Sequence, residues 1–139
     1  MIAKFSICFG KVNTAPFDVL IRRTPKLQTR QPDVPLASFA RLAQVGGRPA
    51  KGPLEAAPEL VAEIISDRGT QRILADKITD YVSFGVDECW VVRPDDGTVE
   101  VLALTQGGAG AVAAYTEGQA VASVVFPGLA IAVAEVLAA

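Results

Sequence analysis

The sequence predicts an α/β (α+β) domain in which a mixed β-sheet carries helices on its faces. Three observations predict it. Residues 60–65 (LVAEII) form a short apolar run between Pro58 and Ser66-Asp67, which reads as a strand buried on both faces. Residues 70–84 then repeat apolar positions at helical spacing, and residues 89–92 (CWVV) supply the next strand. Residues 98–104 and 110–115 follow as a hairpin around the glycine-rich turn Gly107-Gly108. Strand, helix, strand and then a meander is an order that builds a mixed sheet with helices packed on it.

Along the chain, Pro16, Pro25, Pro32 and Pro35 limit the first forty residues to short or edge strands, of which 17–22 (FDVLIR) is one. Residues 46–53 (GGRPAKGP) are a loop, being rich in the residues that best interrupt regular structure. In the helix over 70–84, Thr70 is the expected N-cap and Gly85 the C-terminal stop. Residues 120–139 are almost wholly apolar and long enough for a bilayer, but Pro127-Gly128 breaks them midway and Glu135 sits near the end. They read as a buried strand, a turn and a short terminal helix. Met1 and the apolar run after it are too short for a signal-peptide core. No repeat or low-complexity linker divides the 139 residues, so one domain is expected.

Composition narrows the chemistry. The chain has no histidine, which removes Ser-His and Cys-His nucleophiles and histidine-ligated zinc. Acid, base or metal chemistry must run on carboxylates, lysine, tyrosine, cysteine or water, and a hard cation with oxygen ligands, Mg²⁺ or Mn²⁺, suits that inventory. Two cysteines, Cys8 and Cys89, make no disulfide framework, so buried thiols in a reducing cytoplasm are expected. Charge is unevenly spread: residues 1–51 hold nine Lys/Arg against Asp18 and Asp33, and the remaining residues hold four against thirteen acids. The positive part could face a phosphate backbone, although halves of a sequence need not be halves of a surface.

Glu63 is the first candidate. Side chains alternate along a strand, so Val61, Glu63 and Ile65 share one face and Leu60, Ala62 and Ile64 the other. A carboxylate inside a buried apolar strand requires a partner, either a divalent cation or a basic side chain such as Lys77. Lys77 projects into the apolar half of its helix, with Ile73, Leu74, Ile78, Tyr81, Val82 and Phe84. It therefore reaches inward to an anion or snorkels outward, and Asp80 offers a surface alternative. Asp33, in QPDVPL, is by itself an ordinary turn residue.

Taken together these residues resemble the Uma-two family of the PD-(D/E)XK nuclease superfamily. The matching pieces are APFDV (15–19), QPDV (31–34), PELVAEIIS (58–66), DKITDYVSFGVDECWVV (76–92) and FPGLAI (126–131). The resemblance implies a restriction-endonuclease-like core, with a central mixed sheet flanked by helices, spanning residues 1–139 without the family's N-terminal helix. It implies a Mg²⁺- or Mn²⁺-dependent endonuclease acting on DNA, with Asp33 and Glu63 as metal ligands and Lys77 as the catalytic lysine. The wider superfamily places that lysine two residues after the glutamate, where this chain has Ile65. Tyr81, Gly85 and Trp90 match the family as well and read as packing and helix termination. Ile73 and Arg93 stand where relatives carry acids, and Pro35 stands in what is otherwise an ordinary strand. The alternative is a catalytically inactive restriction-endonuclease-like fold used for structure or protein interaction, as a subunit of a homo-oligomer.

Overall fold

A six-stranded mixed sheet forms the centre of the molecule in the computed structural model, which describes residues 11–12, 18–23, 28–46, 53–66 and 68–138. In chain order the elements are β1 (Lys11–Val12), β2 (Val19–Arg22), β3 (Gln28–Arg30), β4 (Val34–Ala37), α1 (Phe39–Ala43), β5 (Leu60–Ile64), α2 (Arg68–Phe84), β6 (Glu88–Arg93), β7 (Thr98–Thr105), β8 (Gly108–Thr116), β9 (Ala120–Ala122), β10 (Ala130–Ala132) and α3 (Val133–Leu137). The central sheet runs β1-β4-β5-β6-β7-β8, while β2 with β3 and β9 with β10 form two small ribbons. β5 and β6 are parallel and are joined through α2; the other neighbours in the sheet are antiparallel. A parallel pair needs such a crossover, so the strand-helix-strand order in the sequence becomes the one parallel step among the described strands.

Both faces of the sheet are buried at β5 and β6, as their unbroken apolar runs require, while the edge strand β8 stays largely exposed. On one face Leu60, Ala62, Trp90, Val92, Val99 and Val101 pack under the C-terminal ribbon and α3. On the other, Val61, Ile65, Cys89, Val91, Leu102 and Leu104 pack under Leu74 and Tyr81 of α2. The alternation expected for 60–65 therefore holds residue by residue, although Ile64 at the strand end is partly exposed. Glu88, buried at the start of β6, accepts bonds from the Ser123 hydroxyl at 2.6 Å and the Val124 amide at 2.7 Å. These bonds fasten the terminal ribbon to the sheet. No helix among the described residues is long and apolar enough to cross a membrane.

Several local expectations are corrected. α2 begins at Arg68, so Thr70 lies inside the helix and is not its cap. The β7–β8 loop is Gln106-Gly107, because Thr105 already pairs with Gly108, whose φ of 119° opens β8. Residues 120–132 form a ribbon of two strands where one strand was expected. Pro35 sits in β4 between two neighbours, yet β1 pairs only with Leu36 and Ala37 among the described residues. The N-terminal apolar run, Cys8 and most of the loop at 46–53 lie outside the described residues.

Gly85 does end α2. Its φ is 109°, and both its own amide and that of Val86 donate to the Tyr81 carbonyl, at 3.1 and 3.0 Å. An L-residue is strained in that conformation, so Gly85→Ala should cost about 1 kcal/mol. The check is a lower urea midpoint at unchanged slope.

Candidate active site

The site is assembled by the register of two strands and one face of a helix. β4 and β5 are antiparallel with Val34 opposite Ala62. Asp33, one residue before β4, continues that register opposite Glu63, and residues opposite one another in a ladder share a face. Asp33 lies just past the end of the ladder, where its Oδ2 accepts a bond of 2.7 Å from the Ile64 amide. That bond holds the carboxylate against the end of β5 and leaves Oδ1 disengaged from it.

Glu63 points into the interface between sheet and α2 and is only 1% exposed. Its two oxygens have different partners. Oε1 accepts from the Tyr81 hydroxyl at 2.5 Å, and Oε2 faces the Lys77 ammonium at 3.2 Å. Lys77 and Tyr81 are four residues apart on α2, hence one above the other on the same helix face. Burial lifts the Glu63 carboxyl to about 6, with Asp33 adding to the rise, while Tyr81 and Lys77 oppose it. Burial, reinforced by the neighbouring Glu63 charge, holds the Tyr81 phenol far above its ordinary value, so it remains a donor. Burial likewise pushes the Cys89 thiol up, away from reactivity.

Asp33, Glu63 and Lys77 are therefore brought to one place, and Lys77 takes the inward path. The surface alternative is not used: Asp80 instead binds Arg30 Nε at 2.5 Å and Gln28 Nε2 at 3.1 Å, tying the β2–β3 ribbon to the helix. Tyr81 was expected to do no more than pack. It is fully buried as expected, but its hydroxyl belongs to the site. The signal available in the sequence was its position one turn beyond Lys77. Ile73, one turn before Lys77, is about half exposed and lies outside the buried face to which it was assigned.

A second polar cluster at the opposite end of β5 had no counterpart in the sequence reading. Arg41 of α1 donates to the carbonyls of Ala57 and Gly85, to Asp87 Oδ2 at 2.5 Å, and faces Glu59 at 3.5 Å. Ser38 caps α1 by accepting from the Arg41 amide, and both its amide and its hydroxyl donate to Glu59. This cluster fixes where β5 begins and where α2 ends, which sets Glu63 against Lys77 and Tyr81. Among the described residues, three arginines of the basic first part of the sequence pair with acids of the remainder. Arg23 pairs with Glu55, Arg30 with Asp80, and Arg41 with Glu59 and Asp87, each an ion pair across the two halves.

Residues 8–134 match the family described as "Uma2: Putative restriction endonuclease". This chain belongs to the Uma2 family. Among solved structures it is similar to one described as a "putative nuclease belonging to DUF820" from Anabaena variabilis, at 21% identity and a TM-score of 0.57. The similarity covers 79% of this chain and 60% of that one, so the Uma2 chain spans less than two thirds of that protein's length. No curated protein matches. At that identity the likeness establishes the fold, a restriction-endonuclease-like mixed sheet with flanking helices. In this Uma2 chain Ile65 is buried in the helix-side core, and the ammonium group near Glu63 comes from α2.

Restriction-endonuclease-like proteins generally use divalent metals, and the donor set here fits a hard cation. Among the described residues no group of three or more His, Cys, Asp or Glu could hold a metal. The site instead offers two carboxylates, Asp33 and Glu63, one of them buried. Mg²⁺ is suited to that provision, because it retains several waters and is commonly bound by one or two carboxylates with substrate phosphates completing the shell.

Proposed function

We propose that this chain is a Mg²⁺- or Mn²⁺-dependent endonuclease that hydrolyses phosphodiester bonds of DNA, with Asp33 and Glu63 as metal ligands and Lys77 as the catalytic lysine. One observation carries the reading: two acids thirty residues apart in sequence meet at the end of β5, with an ammonium group 3.2 Å from the buried one. A carboxylate this deeply buried, lifted to about 6, is an expensive choice for a merely structural position. When bound, a divalent cation polarises the scissile phosphate and lowers the pKa of an attacking water.

The chain's own groups divide the remaining tasks. Asp33, fixed by the Ile64 amide, and Glu63, fixed by Tyr81, supply negative charge in a set geometry. Lys77 neutralises Glu63 when no cation is held. Its side chain is 16% exposed, so it can also reach toward solvent, where it would orient the water or stabilise charge developing on phosphorus.

Calorimetric titration with Mn²⁺, paired with a DNA cleavage assay, tests the assignment. Asp33→Ala should lose Mn²⁺ binding and cleavage together. Lys77→Ala should keep Mn²⁺ binding and lose cleavage by about 100-fold or more, a typical loss on removing a group that stabilises transition-state charge. A wild-type chain that binds no Mn²⁺ would refute the proposal and leave an inactive fold serving structure or interaction. Full cleavage by Asp33→Ala would refute the residue assignment.

A further inference from the structure

We propose that Tyr81 is a positioning residue that keeps Glu63 a one-oxygen ligand and thereby tunes the site toward a small octahedral cation and against Ca²⁺. The inference rests on the metal-site reading above and concerns which cation that site prefers.

The two oxygens of Glu63 are held by donors of different mobility. Oε1 is bound at 2.5 Å by the hydroxyl of Tyr81, a rigid side chain with no exposed surface. The ring is enclosed by the helix-side core, in contact with the cluster that includes Val61, Leu74, Val86 and Cys89. A side chain so packed has nowhere to withdraw. Oε2 is bound at 3.2 Å by Lys77, whose longer and flexible side chain keeps some contact with solvent. An arriving cation therefore competes with a donor that can leave at Oε2 and with one that cannot at Oε1. It takes Oε2 and displaces the ammonium group, while the phenol keeps Oε1.

Denticity has a consequence for selectivity. Mg²⁺ and Mn²⁺ favour near-octahedral shells, in which a carboxylate contributes one oxygen and water completes the set. Ca²⁺ accepts more ligands at longer distances and benefits from a bidentate carboxylate. Holding Oε1 removes the bidentate option and with it part of the affinity for Ca²⁺. Tyr81→Phe frees Oε1, removes only the hydroxyl from the core and keeps Lys77 and both carboxylates.

The test is calorimetric titration of wild type and Tyr81→Phe with Mn²⁺ and with Ca²⁺, reading the ratio of the two dissociation constants. The expected result is a preference for Mn²⁺ in the wild type that falls by about tenfold in Tyr81→Phe, the lower end of what a residue supporting a metal ligand contributes. A purely structural role would weaken both cations alike, and an unchanged ratio overturns the inference while leaving the metal site intact. A wild type that binds neither cation overturns the metal-site reading itself and this inference with it. Should the variant fail to fold, the wild type answers alone. In ¹³C-glutamate-labelled protein the infrared difference on adding Mn²⁺ reports the separation of the two carboxylate stretches. A wider separation than in the free carboxylate marks one-oxygen binding as expected, and a narrower one marks bidentate binding and overturns the inference.

Discussion

Glu63→Gln should abolish both Mn²⁺ binding and metal-dependent cleavage of DNA, lowering the latter by roughly 100-fold or more. Residues that merely support a metal ligand are worth 10- to 100-fold, and this substitution removes the charge of a ligand itself. The amide nearly preserves the volume of the side chain and still accepts from Tyr81, so the loss should come without unfolding. Stability should even move the other way. The folded chain holds the Glu63 proton more tightly than the unfolded chain does, with a pKa of about 6 against an ordinary 4.5. The contribution of this carboxyl is therefore complete below about 4.5 and is lost as pH rises through about 6. Glutamine does not titrate. The stability of Glu63→Gln relative to wild type should thus grow by roughly 2 kcal/mol between acid and neutral pH, at 1.36 kcal/mol per pH unit of displacement. Urea denaturation at a series of pH values in the presence of EDTA measures it, and a difference that stays flat with pH would contradict the burial argument. Added Mn²⁺ should close the gap by stabilising only the wild type.

Arg41→Ala should be the costliest change away from the site, at about 3 kcal/mol. Its guanidinium serves two main-chain carbonyls and two carboxylates at once. Removing one partner of a partly buried charge cluster leaves the other charges and acceptors without compensation, which costs more than the pair was worth. The cluster is not fully enclosed, since Asp87 is about two-fifths exposed, and this holds the figure at the lower end of the range for buried pairs. Arg41→Lys should recover little, because a single ammonium group cannot span the fork of acceptors that the guanidinium meets. Urea denaturation of the metal-free protein gives the number, and a loss below about 1 kcal/mol would mean that solvent satisfies these groups when the arginine is gone.

Much of this was legible in the sequence because hydrophobic pattern carries it. The run LVAEII admits one arrangement of faces once it is a buried strand, and that arrangement alone aims Glu63 at the following helix. Lys77 was marked by being a cation on an apolar stripe. Asp33 was not distinctive in isolation and became so only through the resemblance, since nothing local says that a Pro-Asp turn will stand opposite residue 63. Tyr81 was legible only in part. An aromatic ring at a core position satisfies the pattern completely, and its hydroxyl adds no signal until a partner is known. α1 was missed for a different reason: five residues (FARLA) are too few to show a period, and the helix is held by Ser38 and Arg41 rather than by an apolar stripe. Charge asymmetry was visible as well, but which arginines pair, such as Arg30 with Asp80, depends on which segments fold against each other.

The two bonds to Glu63 also act as an index for α2. Apolar contacts choose the broad face that α2 turns to the sheet, and the two polar bonds fix its angle within that face. A turn of one residue, about 100°, would carry both Lys77 and Tyr81 off the carboxylate and present Asp76 or Ile78 in place of the ammonium group. The glutamate would then be sealed in the interior beside another acid or a hydrocarbon. That misalignment is costly enough to be rejected during folding, so the group that would bind the cation also selects the single angle at which the helix can settle on the sheet.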